Sequence, residues 1–193
     1  MKIFSPLYEK VILWSKHKHA ALILYLVAFS EAIFWPIPVD IMLVPMAIAD
    51  REKAWRYAAG ATFFSVFGGA FGYYLGHALY DPVVHPFIEF MGYQDKLVLA
   101  KNWFSKWGIL VIFIASFTPV PFKIFTLTAG IINMAFLPFM FTALIGRSLR
   151  FFLVTGLVVI GGEKMADKLS KYIDVLGWIT IIVAIILYFS LKN

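Results

Sequence analysis

The chain has 193 residues, of which 62% are apolar and 18% aromatic, and it carries a formal net charge of +6. Soluble domains contain about 45–50% apolar residues, so this excess predicts an integral membrane protein. The sequence has no cysteine, which excludes disulfides, thiolate metal sites and a cysteine nucleophile. Its lysines and arginines lie between hydrophobic segments. Basic residues at such positions orient membrane proteins, so they do not indicate nucleic-acid binding here.

Residues 1–19 combine lysines with apolar residues at nearly helical spacing. The pattern predicts either an amphipathic helix that lies in the membrane surface or a partly helical extension. Glu31 and Trp35 stand where a signal-peptide cleavage site would be expected, so we expect the segment to be retained. Its lysines place the N-terminus in the cytoplasm.

The apolar run 20–49 is interrupted by two carboxylates, Glu31 and Asp40, and by two prolines, Pro36 and Pro38. A carboxylate at mid-depth in hydrocarbon costs roughly 2.5–3.5 kcal/mol, and each proline removes a backbone donor. A continuous spanning helix does not suit this combination, whereas a helix that breaks beside a polar cavity does. We therefore predict a re-entrant hairpin that enters and leaves on the cytoplasmic side.

Tyr57–Gly76 is predicted to be a full membrane span. Gly68, Gly72 and Gly76 recur at every fourth residue, so they share one helix face and let another backbone approach closely. This face indicates either ordinary helix packing or an interface that slides during transport.

The segment 77–107 is the longest polar one, and its charges nearly cancel, so we expect it on the outer side. Short interfacial helices are predicted at 87–91 and 97–104. A second full span is predicted over Phe136–Ile160, and a shorter, tilted span over Leu176–Leu191 follows a basic loop.

A second interrupted segment begins with Gly108–Phe117, which is too short to span a membrane and runs into Pro119 and Pro121. The two prolines, the next charged residue and an isoleucine align with the first break at a constant offset of 83, with Lys123 in place of Asp40. Interrupted hydrophobic segments at corresponding places in two halves indicate a binding site in a transporter-like fold. We predict a second re-entrant hairpin and an inverted repeat.

The expected fold class is an all-α integral membrane protein with two re-entrant helical hairpins in an inverted repeat and about three membrane-spanning helices. We expect an interfacial N-terminal helix over 1–19 and a membrane domain over 20–162. Within that domain, repeat 1 covers roughly 20–76 and repeat 2 roughly 108–160. A basic loop and a C-terminal transmembrane helix occupy 163–193.

The ionisable residues predicted inside the membrane are Glu31, Asp40, Lys123, Arg147 and Arg150. One interpretation is that they form salt bridges that only fix the hairpins against the second span. The other is a hydrated cavity at the midplane, where the three cations attract an anion such as a lipid phosphate. In that case the two carboxylates exchange pairing or protons as the anion passes.

Catalytic motifs are missing from the sequence, which has no Gly-x-Ser-x-Gly element and no glycine-rich phosphate loop. All four histidines lie in polar flanks, so we expect no enzyme activity, no metal ion and no cofactor. Hydroxyls near the second break usually donate back to carbonyls of their own helix. Among them Thr118 is our candidate for headgroup binding, beside the cations Lys123, Arg147 and Arg150.

Three stretches of the chain form a fairly specific combination. They are Glu31…Pro36-x-Pro38-x-Asp40, Phe117-Thr118-Pro119-Val120-Pro121-Phe122-Lys123…Ala129-Gly130 and Gly146-Arg147-Ser148-Leu149-Arg150-Phe151-Phe152. The combination resembles the DedA family of the VTT superfamily and is most similar to its YqaA-like branch. The resemblance implies two hairpins that enter from opposite faces. It also implies a role in moving phospholipids or a polyprenyl-phosphate carrier across the bacterial cytoplasmic membrane.

The resemblance places the acidic positions of the family at Glu31 and Asp40. The better-studied branch has two arginines around the second break, in an Arg-x-x-Pro-x-x-Arg pattern. This chain has Ser116 and Phe122 at those positions, and Lys123 is displaced by one. Arg147 and Arg150 are therefore our candidates for the anion-binding role.

Several functional hypotheses follow. The first is a lipid translocase or scramblase whose partners are membrane lipids with a phosphate headgroup. The second is a proton-coupled secondary transporter of a small ion or solute, and the third is a membrane organiser whose charges are purely structural. A lipid-phosphate hydrolase is the weakest. The glycine face allows a homo-oligomer without requiring one.

Overall fold

A computed structural model describes residues 19–35, 38–92, 94–118 and 120–162. These residues are almost entirely helical and contain no β-strand, which confirms the all-α fold class for the described part of the chain. The helices predicted within 1–18 and 163–193 lie outside the described residues, as do Pro36 and Pro119.

The helices follow one another with short connections. They are α1 (Ala20–Glu31), α2 (Asp40–Ala49), α3 (Ala54–Leu79), α4 (His85–Met91), α5 (Gln94–Phe117), α6 (Phe122–Ile131) and α7 (Phe136–Gly162). A five-residue π-helical turn, Tyr80–Val84, joins α3 to α4. At both predicted interruptions a helix ends and a new one begins, because α1 stops at Glu31 and α5 stops at Phe117.

Among the described helices, α7 is the one that is both long enough and apolar enough to cross a membrane. Its 27 residues measure about 40 Å at helical rise. It contains the span predicted at Phe136–Ile160. The span predicted at Tyr57–Gly76 falls within α3, which has 26 residues but is not apolar enough to meet the same criterion, because it contains five glycines and three tyrosines.

One helix is longer than expected. The short helix predicted at 87–91 is present within α4, but the separate one predicted at 97–104 is wrong, because α5 continues without interruption to Phe117. Gly108 does not end the helix, since one internal glycine costs only about 1 kcal/mol relative to alanine. The apolar segment 108–117 is therefore the end of a 24-residue helix.

The glycine face of α3 brings two backbones close to it, as predicted. A Cβ atom at Gly68 would overlap the carbonyl oxygen of Phe29 in α1, and one at Gly76 would overlap the carbonyl oxygen of Leu127 in α6. A Cβ atom at Gly72 would meet both neighbours. Helices α1 and α6 thus lie side by side against α3, because no side chain on this face keeps them apart.

Both interruptions contain the same local turn. The amide of Ile41 donates to the carbonyl of Pro38, and the amide of Ile124 donates to the carbonyl of Pro121, each over 3.2 Å. Both helices thus begin directly after a proline turn of the same form.

The connection between α2 and α3 is a polar turn. Asp50 accepts hydrogen bonds from the backbone amide of Lys53 at 3.1 Å and from its Nζ at 2.5 Å. The bond from the Lys53 side chain lowers the pKa of the Asp50 carboxyl, and the same bond raises the pKa of Lys53. The turn fixes the direction in which α3 leaves α2.

Candidate functional site

The two interruptions meet in the folded chain. Lys123 Nζ donates hydrogen bonds to the carbonyls of Phe34 and Trp35, at 3.2 and 3.3 Å. Thr126 Oγ1 lies 2.9 Å from the carbonyl oxygen of Lys123 and 3.3 Å from that of Ala32, so its one proton is shared between α6 and the end of α1. Carbonyls that follow the last helical turn lack partners within the helix and attract a cation. The start of α6 is therefore held against the end of α1.

A buried ion pair joins the first interruption to α7. Arg150 Nη2 donates to Asp40 Oδ2, and Arg150 Nη1 donates to the carbonyl of Thr118 in the second interruption. The side chains of Asp40 and Arg150 are 1% and 7% exposed. Asp40 also lies in the first turn of α2, where the helix dipole favours a negative charge.

Arg147 lies one turn before Arg150 on α7 and is held more loosely. Its Nη1 is 3.8 Å from Glu31 Oε2, which is close enough for charge attraction but too long for a hydrogen bond. The guanidinium carbon lies 4.3 Å from the ring centre of Phe122 and 5.6 Å from that of Phe151. Two aromatic rings therefore fix the position of a fully buried cation.

The cluster has unused hydrogen-bonding capacity. Among the described residues, no partner is present for the buried atoms Arg147 Nε, Arg147 Nη1, Arg150 Nε, Glu31 Oε2 and Asp40 Oδ1. Leaving a buried polar atom unpaired costs about 1–3 kcal/mol, and more for a charged group. The free donors belong to two adjacent guanidinium groups, so the arrangement suits a polar ligand with several acceptor oxygens.

The structure brings together most of the residues predicted for the site. Glu31, Asp40, Arg147 and Arg150 form one cluster, which we call the ionic cluster. Lys123 lies at its edge and is bonded to backbone carbonyls, so it has no carboxylate partner within the described residues.

Thr118 contributes a different group from the one expected. Its hydroxyl donates back to the carbonyl of Ile114 at 2.6 Å, as threonines near helix ends commonly do. Its carbonyl is the atom that contacts Arg150. A role for Thr118 in headgroup binding stays a prediction.

Two members of the site, the aromatic rings around Arg147, were not predicted from the sequence. The sequence positions of both could have indicated them. Phe151 lies four residues after Arg147, on the same helix face, and Phe122 directly follows the proline pair. The hydroxyl of Thr126, which contacts both its own helix and the end of α1, was indicated only by the presence of a threonine in an apolar segment.

Comparison with known proteins places the chain in a family. Residues 37–160 match the VTT domain, so the chain belongs to the VTT-domain family, and its resemblance to the DedA proteins is confirmed. The matched region contains Asp40, Lys123 and both arginines of the ionic cluster, and it begins after Glu31.

Relatives of this chain occur in distant organisms. It is 46% identical to an uncharacterised protein of Haemophilus influenzae, over the full length of both chains. It is 30% identical to an uncharacterised protein of Methanocaldococcus jannaschii over 129 residues, or 66% of this chain and 76% of the other. It is 29% identical to undecaprenyl phosphate transporter A of Staphylococcus aureus over 143 residues, or 68% of each chain. No solved structure matches the chain significantly.

Proposed function

We propose that the protein moves lipids with a phosphate headgroup, such as phospholipids or polyprenyl phosphates, across the bacterial cytoplasmic membrane. The observation that carries the proposal is the pair of buried arginines, Arg147 and Arg150, whose free N–H donors have no acceptor among the described residues. Guanidinium groups suit phosphate because their planar donors match its oxygens. The name of the related S. aureus transporter supports a substrate that carries phosphate.

The proposed topology has two re-entrant hairpins, α1–α2 and α5–α6, which enter from opposite faces. Helices α1, α2 and α6 have 12, 10 and 10 residues, whereas about 20 are needed to cross a bilayer. The apolar part of α5, Phe104–Phe117, is also too short. Hairpins that turn back inside the membrane account for these lengths if a polar site lies where they break.

Two observations support an inverted repeat. Adding 83 to the residue numbers of α3 (Ala54–Leu79) gives the range 137–162. This range begins one residue after the start of α7 and ends at the same residue as α7. The proline turns that precede α2 and α6 have the same hydrogen bond at the same offset. Such repeats place the binding site where the two broken segments meet.

The position of the arginines along α7 supports a site deep in the membrane. Arg147 follows the first residue of α7 by eleven positions, which is about 17 Å at helical rise. The full helix measures about 40 Å, so the ionic cluster would lie near mid-depth. A charged headgroup meets its largest barrier there, and a buried cation lowers that barrier most effectively.

The two arginines have different roles in this proposal. Arg150 is fixed by Asp40 and by the carbonyl of Thr118, so it shapes the site. Arg147 has only a 3.8 Å ion pair with Glu31, so a phosphate oxygen can replace that carboxylate at low cost. Glu31 then draws Arg147 back when the headgroup leaves. The loosely paired carboxylate also suits a second candidate function, proton-coupled transport of a small solute.

Lipid movement in vesicles tests the proposal. The full chain is reconstituted into phosphatidylcholine vesicles with a trace of fluorescent phosphatidylglycerol, and dithionite bleaches the label that reaches the outer leaflet. We expect the wild-type protein to expose the inner-leaflet label, and Arg147→Gln to slow this at least about tenfold, because bonds to a charged donor contribute 1.5–3 kcal/mol. Arg56→Gln, at an exposed position outside the ionic cluster, is the matched control and should behave as wild type.

Two outcomes would reject the lipid proposal. One is wild-type protein that bleaches no further than empty vesicles. The other is lipid movement that is equally fast with Arg147→Gln. Solute flux that follows an imposed pH gradient without lipid movement would favour the second candidate.

A further inference from the structure

A separate cavity lies between the middle of α5 and the turn that joins α6 to α7. Its volume is about 370 Å³, and no residue of the ionic cluster lines it. Its wall combines polar and apolar side chains, among them Lys101, Ser105, Lys106, Asn133, Phe104 and Met134. We call it the rim pocket.

The polar wall of the rim pocket is cationic and rich in donors. Lys101 and Lys106 bring two positive charges, and no acidic residue is among the described residues that line the cavity. The side chains of Ser105, Lys106 and Asn133 form no hydrogen bond with the described residues. Lys101, a lining residue, has its Nζ 5.0 Å from the ring centre of Tyr80, a cation–π contact that restricts the position of its ammonium group. Such a wall attracts an anion with several acceptor oxygens.

The apolar wall is built on fixed backbone. Asn133 has a φ of 57°, and the amide of Met134 donates to the carbonyl of Ala129 at 2.9 Å, which forms the usual left-handed stop of a helix. The hydroxyl of Tyr73 donates to the carbonyl of Met134 at 2.5 Å and fixes the turn from the other side. The apolar wall is therefore formed before any ligand binds, which lowers the entropy cost of binding.

The location of the rim pocket indicates which anion it meets. Ala135 and Pro138 line it, and they flank the first residue of α7, the helix that is long and apolar enough to span the membrane. The end of a spanning helix lies at the level of the lipid headgroups. An anion at that level with an apolar part beside it is an anionic lipid.

The geometry points to the rim pocket as a binding site for the phosphate headgroup of an anionic membrane lipid. The phosphate lies against Lys101, Lys106 and Asn133, and the first part of an acyl chain follows Phe104 and Met134. This inference rests on α7 crossing the membrane and not on lipid translocation. Along α7, Pro138 of the rim pocket lies nine positions, or about 14 Å at helical rise, before Arg147, and no residue of the ionic cluster lines the pocket, so the two sites hold headgroups independently.

Native mass spectrometry of the purified full-length protein tests this inference, with dioleoyl phosphatidic acid as the probe and dioleoylglycerol as the lipid without phosphate. The experiment is done with the wild-type protein and with Arg147→Gln, so that lipid bound at the ionic cluster can be distinguished from lipid bound in the rim pocket. In both backgrounds we expect K101Q/K106Q to weaken phosphatidic acid binding about 25-fold, since each lysine near an anionic lipid contributes about fivefold. Asn133→Gly keeps the left-handed backbone and removes the side-chain amide, so it should also weaken binding of phosphatidic acid. If the double variant does not fold, the result for Asn133→Gly tests the inference.

The control is K53Q/R56Q, which removes two exposed cations, one in the turn between α2 and α3 and one in the first turn of α3. We expect it to bind the probe as the parent does. Equal weakening by both double variants would mean general charge attraction and would overturn the inference. So would unchanged binding in K101Q/K106Q, or displacement of the lipid by millimolar inorganic phosphate, which would assign the pocket to free phosphate.

Discussion

Arg150 and Asp40 lie 110 residues apart in sequence and form a buried ion pair. The same guanidinium reaches the carbonyl of Thr118, so one side chain on α7 contacts both interruptions of the chain. Three separate segments therefore depend on one cation for their relative positions.

Loss of this pair should destabilise the fold. We expect Asp40→Asn to lower the free energy of unfolding by about 3–5 kcal/mol, because it leaves the buried charge of Arg150 uncompensated. The measurement is thermal unfolding of the detergent-solubilised protein, followed by tryptophan fluorescence. Asp50→Asn, in the exposed turn before α3, is the control and should change stability little. An unchanged unfolding temperature in Asp40→Asn would contradict the structure at this point.

The partner of Asp40 can be tested by exchange of charges. Exchanging Asp40 with Lys123 (Asp40→Lys with Lys123→Asp) should fail to restore stability, because Asp40 pairs with Arg150 and not with Lys123. The reverse pair Asp40→Arg with Arg150→Asp should recover part of the stability lost in Asp40→Arg alone. Thermal unfolding of the two double variants and of Asp40→Lys and Asp40→Arg alone distinguishes the pairings. Recovery of stability when Lys123→Asp is added to Asp40→Lys would refute the pairing of Asp40 with Arg150.

Lys123 should act through the backbone of the first interruption. Lys123→Met removes two charge-assisted bonds to the carbonyls of Phe34 and Trp35, whereas Lys123→Arg keeps donors there. Because the site is partly exposed, we expect Lys123→Met to lose only about 1 kcal/mol of stability. Amide hydrogen exchange should become faster around residues 32–35 in Lys123→Met and stay near wild type in Lys123→Arg. Equal exchange in both variants would show that these bonds are not formed.

Glycine substitutions test the close contact between α3 and α6. A Cβ atom at Gly130 would overlap the carbonyl of Tyr73 and crowd the amide of His77, and backbone atoms cannot move aside. We expect Gly130→Ala to lower the unfolding free energy by about 1–3 kcal/mol, as overpacking does. At Gly156 the nearest atom is the outer edge of the Trp55 ring at 3.3 Å, which can shift. Gly156→Ala should therefore stay close to wild type, and equal effects would argue against the predicted contact.

Glu31 should control release of the headgroup. Glu31→Gln removes the carboxylate that draws Arg147 back, so we expect lipid movement in the vesicle assay to slow about tenfold while the protein still folds. Glu89→Gln, at an exposed carboxylate of α4, is the matched control and should leave the rate unchanged. A rate in Glu31→Gln equal to that of the control would remove Glu31 from the mechanism.

The interruptions were predictable because they depend on local chemistry. A carboxylate and prolines in an apolar run leave few alternatives, and α1 does end at Glu31, while α2 does begin at Asp40. The partner of Asp40 was not predictable in the same way. The offset of 83 aligns Asp40 with Lys123 in sequence, but aligned positions need not be in contact. The packing of α7 instead brings Arg150 to Asp40.

The continuity of α5 was beyond sequence reasoning for another reason. Polar residues and Gly108 indicated a stop, yet each costs little in a helix whose neighbours pack against it. Met134 lies near Gly108, where a Cβ atom would be 3.5 Å from its sulfur. Tertiary contact of this kind cannot be derived from local preference.

The bare face of α3 has a mechanical consequence. Ala32, just after α1, and Thr126 of α6 both lie beside Gly72, and the Thr126 hydroxyl lies 3.3 Å from the Ala32 carbonyl. In the proposed mechanism, an opening wide enough for a lipid would separate α1 or α6 from this glycine face of α3. A cross-link between α1 and α3 should then slow lipid movement if α1 is the helix that moves.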